Sequence, residues 1–446
     1  MATINGTEGD DSLADVAAGE SSSFNSNWSG GEDVMRGGTG DDTYHINSQG
    51  DRVVERGGEG HDVVVSRLYN YTLAPNVEVL QLSNAPTEQV EFPDGHVEDR
   101  PAAYIGLGNA MDNEISGNWN GNTLMGLDGN DTIYGRDGDD LLFGGNGDDF
   151  LSGGSDGDIY GRDDFLVGGN GNDTLFGSRG KDVLLGGNGN DTLIGYADGD
   201  ADHMDGGRGN DIYREVEAID TVTEEDRGGV DTVYAYDSFT LSANIENLVL
   251  TDWARESDGR GNARANQITG NQWTNVLRGE GGNDTLNGDA GFDTLDGGAG
   301  NDTLYAHMLG DVLTGGSGGD RFVFGLERPS DAYHHTITDF SHRHDTLVLS
   351  DALDQLMAGG VANGLVGLQF DGGAAAGHRL SVSSFFKGAG ATGQAADSLA
   401  GLYVDTASGA LWYNPTSGTG GDAWLLAKVG TGAAAALDTS DFIYGA

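Results

Sequence analysis

Cysteine is absent from this 446-residue chain, proline occurs only 6 times, and basic residues number 22 against 72 acidic ones. Each shortage excludes something. Without cysteine there are no disulfides and no thiolate metal sites, and thiol redox chemistry places no constraint on location. A formal charge of −50 repels nucleic acid and anionic membrane surfaces, so no nucleic-acid partner is expected and the natural partner is a cation. No apolar run is long enough to span a bilayer. The opening MATINGTEGDD lacks a basic stretch followed by an apolar one, so the expectation is that export, if it occurs, uses no cleaved N-terminal signal. Hydrophobic residues make up 37%, too few for a large conventional core.

What is abundant is glycine, 78 residues, and it is periodic. Units of nine run as GGNGNDTLF (168–176), GSRGKDVLL (177–185) and GGNGNDTLI (186–194). Asp131, Asp140, Asp149 and Asp158 lie nine apart, as do Asp164, Asp173, Asp182, Asp191 and Asp200, and again Asp284, Asp293, Asp302, Asp311 and Asp320. Asp202 and Asp211 resume the nine-residue step after a shift.

Two positions after each Asp stands an apolar residue, among them Ile133, Leu142, Leu151, Tyr160, Leu166, Leu175, Leu184, Leu193, Leu286, Leu295, Leu304, Leu313 and Phe322. One inward residue per repeat is what a three-residue strand offers, because strand neighbours face opposite sides. The GGxGxD remainder must turn the chain, and glycine suits the positive φ such turns need. Turn, strand, turn, strand gives an 18-residue coil, and stacked coils predict an all-β, parallel β-roll (β-solenoid) fold. Asp residues 18 apart, such as Asp173 and Asp191, would then recur about 4.8 Å apart along the axis.

Two unit charges at that spacing repel by roughly 1 kcal/mol in water and roughly 3 to 4 kcal/mol at an effective dielectric of 20. A bound cation reverses the sign. Calcium accepts six to eight oxygen ligands and can bridge two coils, whereas the tighter magnesium octahedron suits such a turn less well.

The GGxGxDxUx unit is the signature of the RTX calcium-binding nonapeptide repeat, which this chain resembles over most of residues 108–214 and 261–323, with weaker copies at 5–13, 28–45 and 57–65. The resemblance implies several Ca2+ ions, each held by carbonyls of repeat positions two and four and the Asp of one turn, with positions one and three and the Asp of the turn 18 residues on. Here that implies Gly169, Gly171 and Asp173 with Gly186, Asn188 and Asp191, and Glu280, Gly282 and Asp284 with Gly297, Ala299 and Asp302. Each long array opens with Asn at the Asp position, Asn113 and Asn122 in the first and Asn266 and Asn275 in the second, and those turns are expected to lack calcium. Three residues are lost between Asp158 and Asp164 and two gained between Asp200 and Asp202, so the ladder is expected to break there.

The expected organisation is weak repeats at 1–46, a first β insert at 47–107, a first array at 108–214, a second insert at 215–260, a second array at 261–323 and a C-terminal β capping domain at 324–446. The inserts form a duplication, 50–83 with 219–251, in which Asp51 and Asp62 match Asp220 and Asp231. Their alternating Val, Tyr and Leu predict wider coils or small β inserts. ITDFSHRHDTLVLS (337–350) resembles the segment that closes RTX arrays, and the terminal DTSDFIYGA is similar to the uncleaved export signals of type I secretion substrates. The resemblance therefore implies a Gram-negative, extracellular protein carried by a type I ABC exporter and folded by calcium outside the cell.

Catalytic signatures are weak. GGSDG (153–157) and GGSGG (315–319) match G-x-S-x-G but sit in repeat turns, and HExxH is absent. His334, His335, His342 and His344 cluster in the closing segment, where a solvated loop competes with a transition-metal site. Trp119, Trp253, Trp273 and Trp412 either fill gaps or form a saccharide platform. The function expected is structural: a calcium-binding surface-layer, matrix or adhesion protein with polysaccharide as partner. The competing expectation is a secreted polysaccharide-modifying enzyme.

Overall fold

A computed structural model describes residues 2–5, 12–14, 21–25, 31–84, 88–91, 97–100, 104–154, 162–307, 310–324, 334–350, 368–371, 373, 375–395, 398–415 and 423–445. It divides into two compact units, 1–231 and 232–446. The described residues are almost wholly β; their single α-helix is the short Thr431–Ala436. None of their helices is long and apolar enough to cross a membrane.

In the first unit, two long parallel ladders carry the chain back and forth. One stacks Ala2–Asn5, Ser22–Asn25, Thr43–Ile46, Val63–Ser66, Val79–Leu82, Glu114–Ser116, Thr132–Arg136, Phe150–Gly154, Thr174–Phe176, Thr192–Ile194 and Ile212–Val216. The other runs from Asn70–Thr72 through Tyr104–Leu107, Asn122–Asp128, Leu141–Asn146, Phe165–Asn170, Val183–Asn188 and His203–Arg208 to Thr221–Thr223.

The alternation within each strand decides what is buried. Ile115, Ile133, Leu151, Leu175 and Leu193 on one ladder and Leu124, Leu142, Leu166 and Leu184 on the other are fully buried, while their strand neighbours, apart from the small Ser116 and Ser152, are not. One side chain per strand meets its counterpart across a thin core, each such burial contributing about 1.5–3 kcal/mol.

The expected breaks do not interrupt the stack. Phe150–Gly154 pairs with Thr174–Phe176, and Leu141–Asn146 with Phe165–Asn170, so one coil is 24 residues long. Val183–Asn188 pairs with His203–Arg208, a coil of 20 residues. Extra residues are absorbed outside the strands, because strand register is fixed by the buried position and loop length is not. Tyr160 lies outside the described residues.

The segment read as the first insert is built into the same ladders: Val63–Ser66 and Val79–Leu82 are consecutive coils, and Glu88–Glu91 pairs antiparallel with Val97–Arg100. The division at Asp231 falls within the segment read as the second insert.

The second unit repeats the plan. One ladder stacks Thr232–Ala235, Asn247–Leu250, Gln267–Thr269, Thr285–Asn287, Thr303–Ala306, Arg321–Phe324, Thr346–Ser350 and Phe442–Gly445. The facing ladder runs from Phe239–Thr240 through Asp258–Arg260, Val276–Arg278, Thr294–Ala299 and Val312–Ser317 to His335–Ile337. Trp424–Lys428 joins that strand in parallel, then Ala410–Asn414 and Gly401–Asp405 follow antiparallel. Both strands of the last coil are thereby paired on their outer edges, by Trp424–Lys428 and Phe442–Gly445.

Candidate metal centres

The turns, and not the strands, carry the chemistry. Two rows of repeat aspartates in each unit are buried, each Oδ1 accepting the backbone N–H of the corresponding residue one coil earlier. In one row Asn113 N–H reaches Asp131 (2.7 Å), Asp131 reaches Asp149 (2.7 Å), Asp149 reaches Asp173 (2.8 Å), Asp173 reaches Asp191 (2.7 Å) and Asp191 reaches Asp211 (2.7 Å). In the other, Asn122 reaches Asp140, Asp140 reaches Asp164, Asp164 reaches Asp182 and Asp182 reaches Asp202, all within 2.6–2.9 Å. The second unit repeats this from Asn266 through Asp284 and Asp302 to Asp320, and from Asn275 through Asp293 to Asp311.

The second oxygen is the informative one. Oδ2 of Asp131, Asp140, Asp149, Asp164, Asp173, Asp182, Asp191, Asp202, Asp211, Asp284, Asp293, Asp302 and Asp320 is buried with no hydrogen-bond partner. A buried carboxylate oxygen left unsatisfied costs about 1–3 kcal/mol or more, so a repeated set of them is a donor set for a cation. Burial, reinforced by neighbouring acids, pushes these carboxyls upward: Asp173 to about 7, beside Asp191 and Asp149; Asp202 to about 8, beside Asp182; and Asp164 to about 9, beside Asp140 and Asp182. The donors are hard oxygens, which fit calcium and give no purchase to thiophilic metals.

The backbone brings carbonyls to the same place. Beside Gly186, the space that a Cβ would fill is faced by Asp191 Oδ2 and the Gly206 carbonyl; beside Gly279 it is faced by Asp284 Oδ2 and the Gly297 carbonyl. Gly171 adopts φ +133°, and a side chain there would strike the Gly147 carbonyl. Gly169 and Gly282 also have positive φ, and so does the non-glycine Glu280 (72°), which Arg260 meets at 2.6 Å. The Asn188 carbonyl accepts Gly171 N–H (2.8 Å) and the Ala299 carbonyl accepts Gly282 N–H (2.9 Å), tying each turn to the next. On the outer rim, Asn188, Asn170 and Asn146 form an exposed amide ladder at 2.6–2.8 Å.

Three positions, Asp200, Asp164 and Asp311, depart from the expected pattern. Asp200 stands off the row, which passes through Asp202 because the 20-residue coil shifts the register by two. Asp164 follows Asp140 directly in its row, and Asp158 lies outside the described residues. Asp311 Oδ2 is engaged by His307 N–H (3.1 Å), and its own N–H meets His335 Nδ1 (3.2 Å) where another carboxylate would stand. The Asn turns satisfy themselves: Asn113 Oδ1 accepts Asn109 N–H (2.7 Å) while its amide donates to the Val77 and Glu78 carbonyls (3.2 Å each).

Sequence reasoning missed the terminators. Asp220 accepts both Asp202 N–H (3.0 Å) and Glu217 N–H (2.7 Å), and Asp345 accepts both Asp320 N–H (3.0 Å) and Ser341 N–H (2.6 Å), so each ends a row with both oxygens bonded. Their signal was an Asp three or four residues after the amide it binds, without the glycine pair. The histidines disperse: His335 faces Asp311, His342 pairs with Asp441 at 2.8 Å, and His344 reaches Ser341 Oγ at 3.3 Å. The GGSGG serine, Ser317, ends a strand that leads into a turn and no helix.

Comparison with known proteins agrees with the turn geometry. The family description "RTX calcium-binding nonapeptide repeat (4 copies)" matches residues 29–52, 116–151, 125–160, 153–193, 196–213, 260–295 and 278–307. A curated relative, the endo-1,3-1,4-beta-glycanase ExsH of Rhizobium meliloti (strain 1021), is 45% identical over 56 residues, 13% of this chain and 12% of that protein. The match thus spans about an eighth of the relative's length. A solved structure, the AlgE6R3 subunit of the Azotobacter vinelandii mannuronan C5-epimerase, is 19% identical with a TM-score of 0.19, covering 40% of this chain and 78% of that one. With its repeat, its parallel β-roll and its rows of buried aspartates, the chain carries arrays of the RTX calcium-binding nonapeptide repeat.

Proposed function

We propose that this chain is an extracellular calcium-folded protein that works beside polysaccharide, as part of a surface layer, matrix or adhesion. The carrying observation is the repeated buried Oδ2 of aspartates such as Asp131, Asp173, Asp191, Asp284 and Asp302, which opposes folding until a cation satisfies it. Extracellular calcium modules work at roughly 10⁻⁴ to 10⁻³ M, so the chain would stay unfolded in calcium-poor cytoplasm, pass a type I ABC exporter, and fold outside. The paired glycine carbonyls and Asp oxygens, Gly169, Gly171 and Asp173 with Gly186, Asn188 and Asp191, are the ligand set we assign to one ion.

Polysaccharide enters on two supports. A stretch of the chain is similar to a glycanase. Trp253 and Trp119 are 78% and 69% exposed, and Trp273 lines an open cavity of about 600 Å³ with Arg255 and Glu256. Flat exposed aromatics suit sugar rings, which have one apolar face. The same cavity supports a second reading, a polysaccharide-modifying enzyme, since it sets a carboxylate beside an aromatic.

The test is incubation of the calcium-loaded chain with acidic and neutral glycans. Calcium-dependent retention without product formation supports the structural reading. Product formation that Glu256→Gln abolishes supports the enzyme instead, and neither retention nor turnover removes polysaccharide from the account.

A further inference from the structure

Twice in the first unit, a coil leaving a nonapeptide turn carries a buried or half-buried glutamate in matching surroundings. Asp42, Tyr44, Glu55 and Asp62 recur as Asp211, Tyr213, Glu224 and Asp231, each 169 positions after its counterpart (211 minus 42). In each set the three acids offer oxygens that all lie within 4.8 Å of one another. No comparable glutamate belongs to the nonapeptide pattern.

The tyrosine fixes the glutamate. Gly37 N–H donates to the Tyr44 hydroxyl (2.7 Å), which donates to Glu55 Oε1; Gly206 N–H donates to the Tyr213 hydroxyl (2.7 Å), which donates to Glu224 Oε1. Gly37 N–H also reaches Glu55 Oε1 at 3.1 Å. With Oε1 held, each glutamate stays fixed with a carboxylate oxygen within 4.8 Å of oxygens of both aspartates. Glu55 is 7% exposed and its Oε2 has no hydrogen-bond partner; Asp211, 1% exposed, leaves Oδ2 in the same condition.

The difference from an ordinary rung is local. Beside Gly186 the facing groups are one Asp oxygen and the next coil's glycine carbonyl, whereas beside Gly37 they are Asp42 Oδ2 and the Tyr44 hydroxyl, and beside Gly206 they are Asp211 Oδ2 and the Tyr213 hydroxyl. Here the coil supplies a carboxylate where the repeat supplies carbonyls. Three hard, anionic donors with neither imidazole nor thiolate select a cation of the calcium type, and a higher ligand charge tightens binding.

We propose that Asp42–Glu55–Asp62 and Asp211–Glu224–Asp231 are two further calcium sites, each with one carboxylate more than a nonapeptide rung and therefore filled before the rungs. This rests on the calcium reading of the repeat and adds to it a class of site that the repeat motif does not contain.

Equilibrium dialysis of the full chain against radioactive calcium tests this, with Glu55→Gln and Glu224→Gln singly and together, and Asp173→Ala with Asp191→Ala as the rung control. The expected result is that each Gln substitution removes one ion from the tightest class while the weaker class persists, and that the rung control does the reverse. An unchanged tight class in the double Gln variant overturns the proposal while leaving the rungs intact. Absence of calcium binding in the unsubstituted chain overturns the rung reading itself. Should the Gln variants fail to reach the parent circular-dichroism signal in calcium, Glu55→Asp with Glu224→Asp is titrated instead: two ions weakened about tenfold are expected, and an unchanged affinity overturns the proposal.

Discussion

Asn113 and Asp131 occupy the same place in consecutive coils, and one needs nothing from solution while the other does. Both donate N–H to the Asp of the next coil, at 2.7 Å. Asn113 then spends its amide on the Val77 and Glu78 carbonyls and its oxygen on Asn109 N–H. The Asp131 side chain has no N–H to give, and its Oδ2 stays buried and unbonded. Asn266 and Asp284 repeat the contrast in the second unit, where the Asn266 amide reaches the Ile245 and Glu246 carbonyls (3.0 and 3.3 Å). One atom, nitrogen for oxygen, separates a self-sufficient turn from a cation-dependent one. The arrays therefore open on coils able to form without the ion.

The comparison can be broken most forcefully at the Asp turns. Replacing Asp173 and Asp191 together by Ala removes two carboxylates from adjacent coils. The calcium midpoint of folding is expected to rise at least tenfold, about 1.4 kcal/mol, as measured by circular dichroism against calcium concentration. Asn113→Asp acts the other way. It withdraws the donors to two carbonyls and adds a buried charge, so calcium-saturated stability in urea should fall by about 1–3 kcal/mol.

Proton occupancy should sharpen the contrast. In chelator, the folded chain holds protons on Asp131 (raised to about 7), Asp164 (about 9) and Asp284 (about 7) that the unfolded chain releases near the ordinary carboxylate range. Folded-state proton binding then exceeds unfolded-state binding, and stability without calcium falls as pH rises from about 4 to 7. With calcium the trend reverses, because the ligands must be deprotonated and affinity climbs with pH. Far-UV circular dichroism in chelator should show more residual β signal at pH 5 than at pH 7, whereas urea melts in saturating calcium should show the higher stability at pH 7. The smallest expected effect is Trp253→Ala, whose 78% exposed ring contributes little to packing, so its melt should be unchanged while glycan retention weakens.

Much of this was legible in the sequence, for a physical reason. The strand period and the Asp period are both fixed by the stack, so Leu175, Leu193, Leu286 and Leu304 could be placed in the core before any coordinates. What the period does not encode is loop length: the chain between Asp140 and Asp164, or between Asp182 and Asp202, differs in length from an 18-residue coil, yet both pairs remain bonded at 2.8 and 2.9 Å. Asp200 was misplaced for that reason. Glu55 and Glu224 lie in a duplication visible in the sequence, but their meaning depends on Tyr44 and Tyr213 reaching them from the neighbouring coil. The helpful signal was the constant spacing of D-x-Y, E and D in both copies.

The central claim, that a cation satisfies the rows of buried aspartates and so folds the chain, is tested most directly by titrating calcium into the chelator-treated protein while following far-UV circular dichroism, with magnesium as the control. The account predicts a cooperative gain of β signal with calcium and little with magnesium. A chain already fully folded in chelator, and indifferent to added calcium, would contradict it.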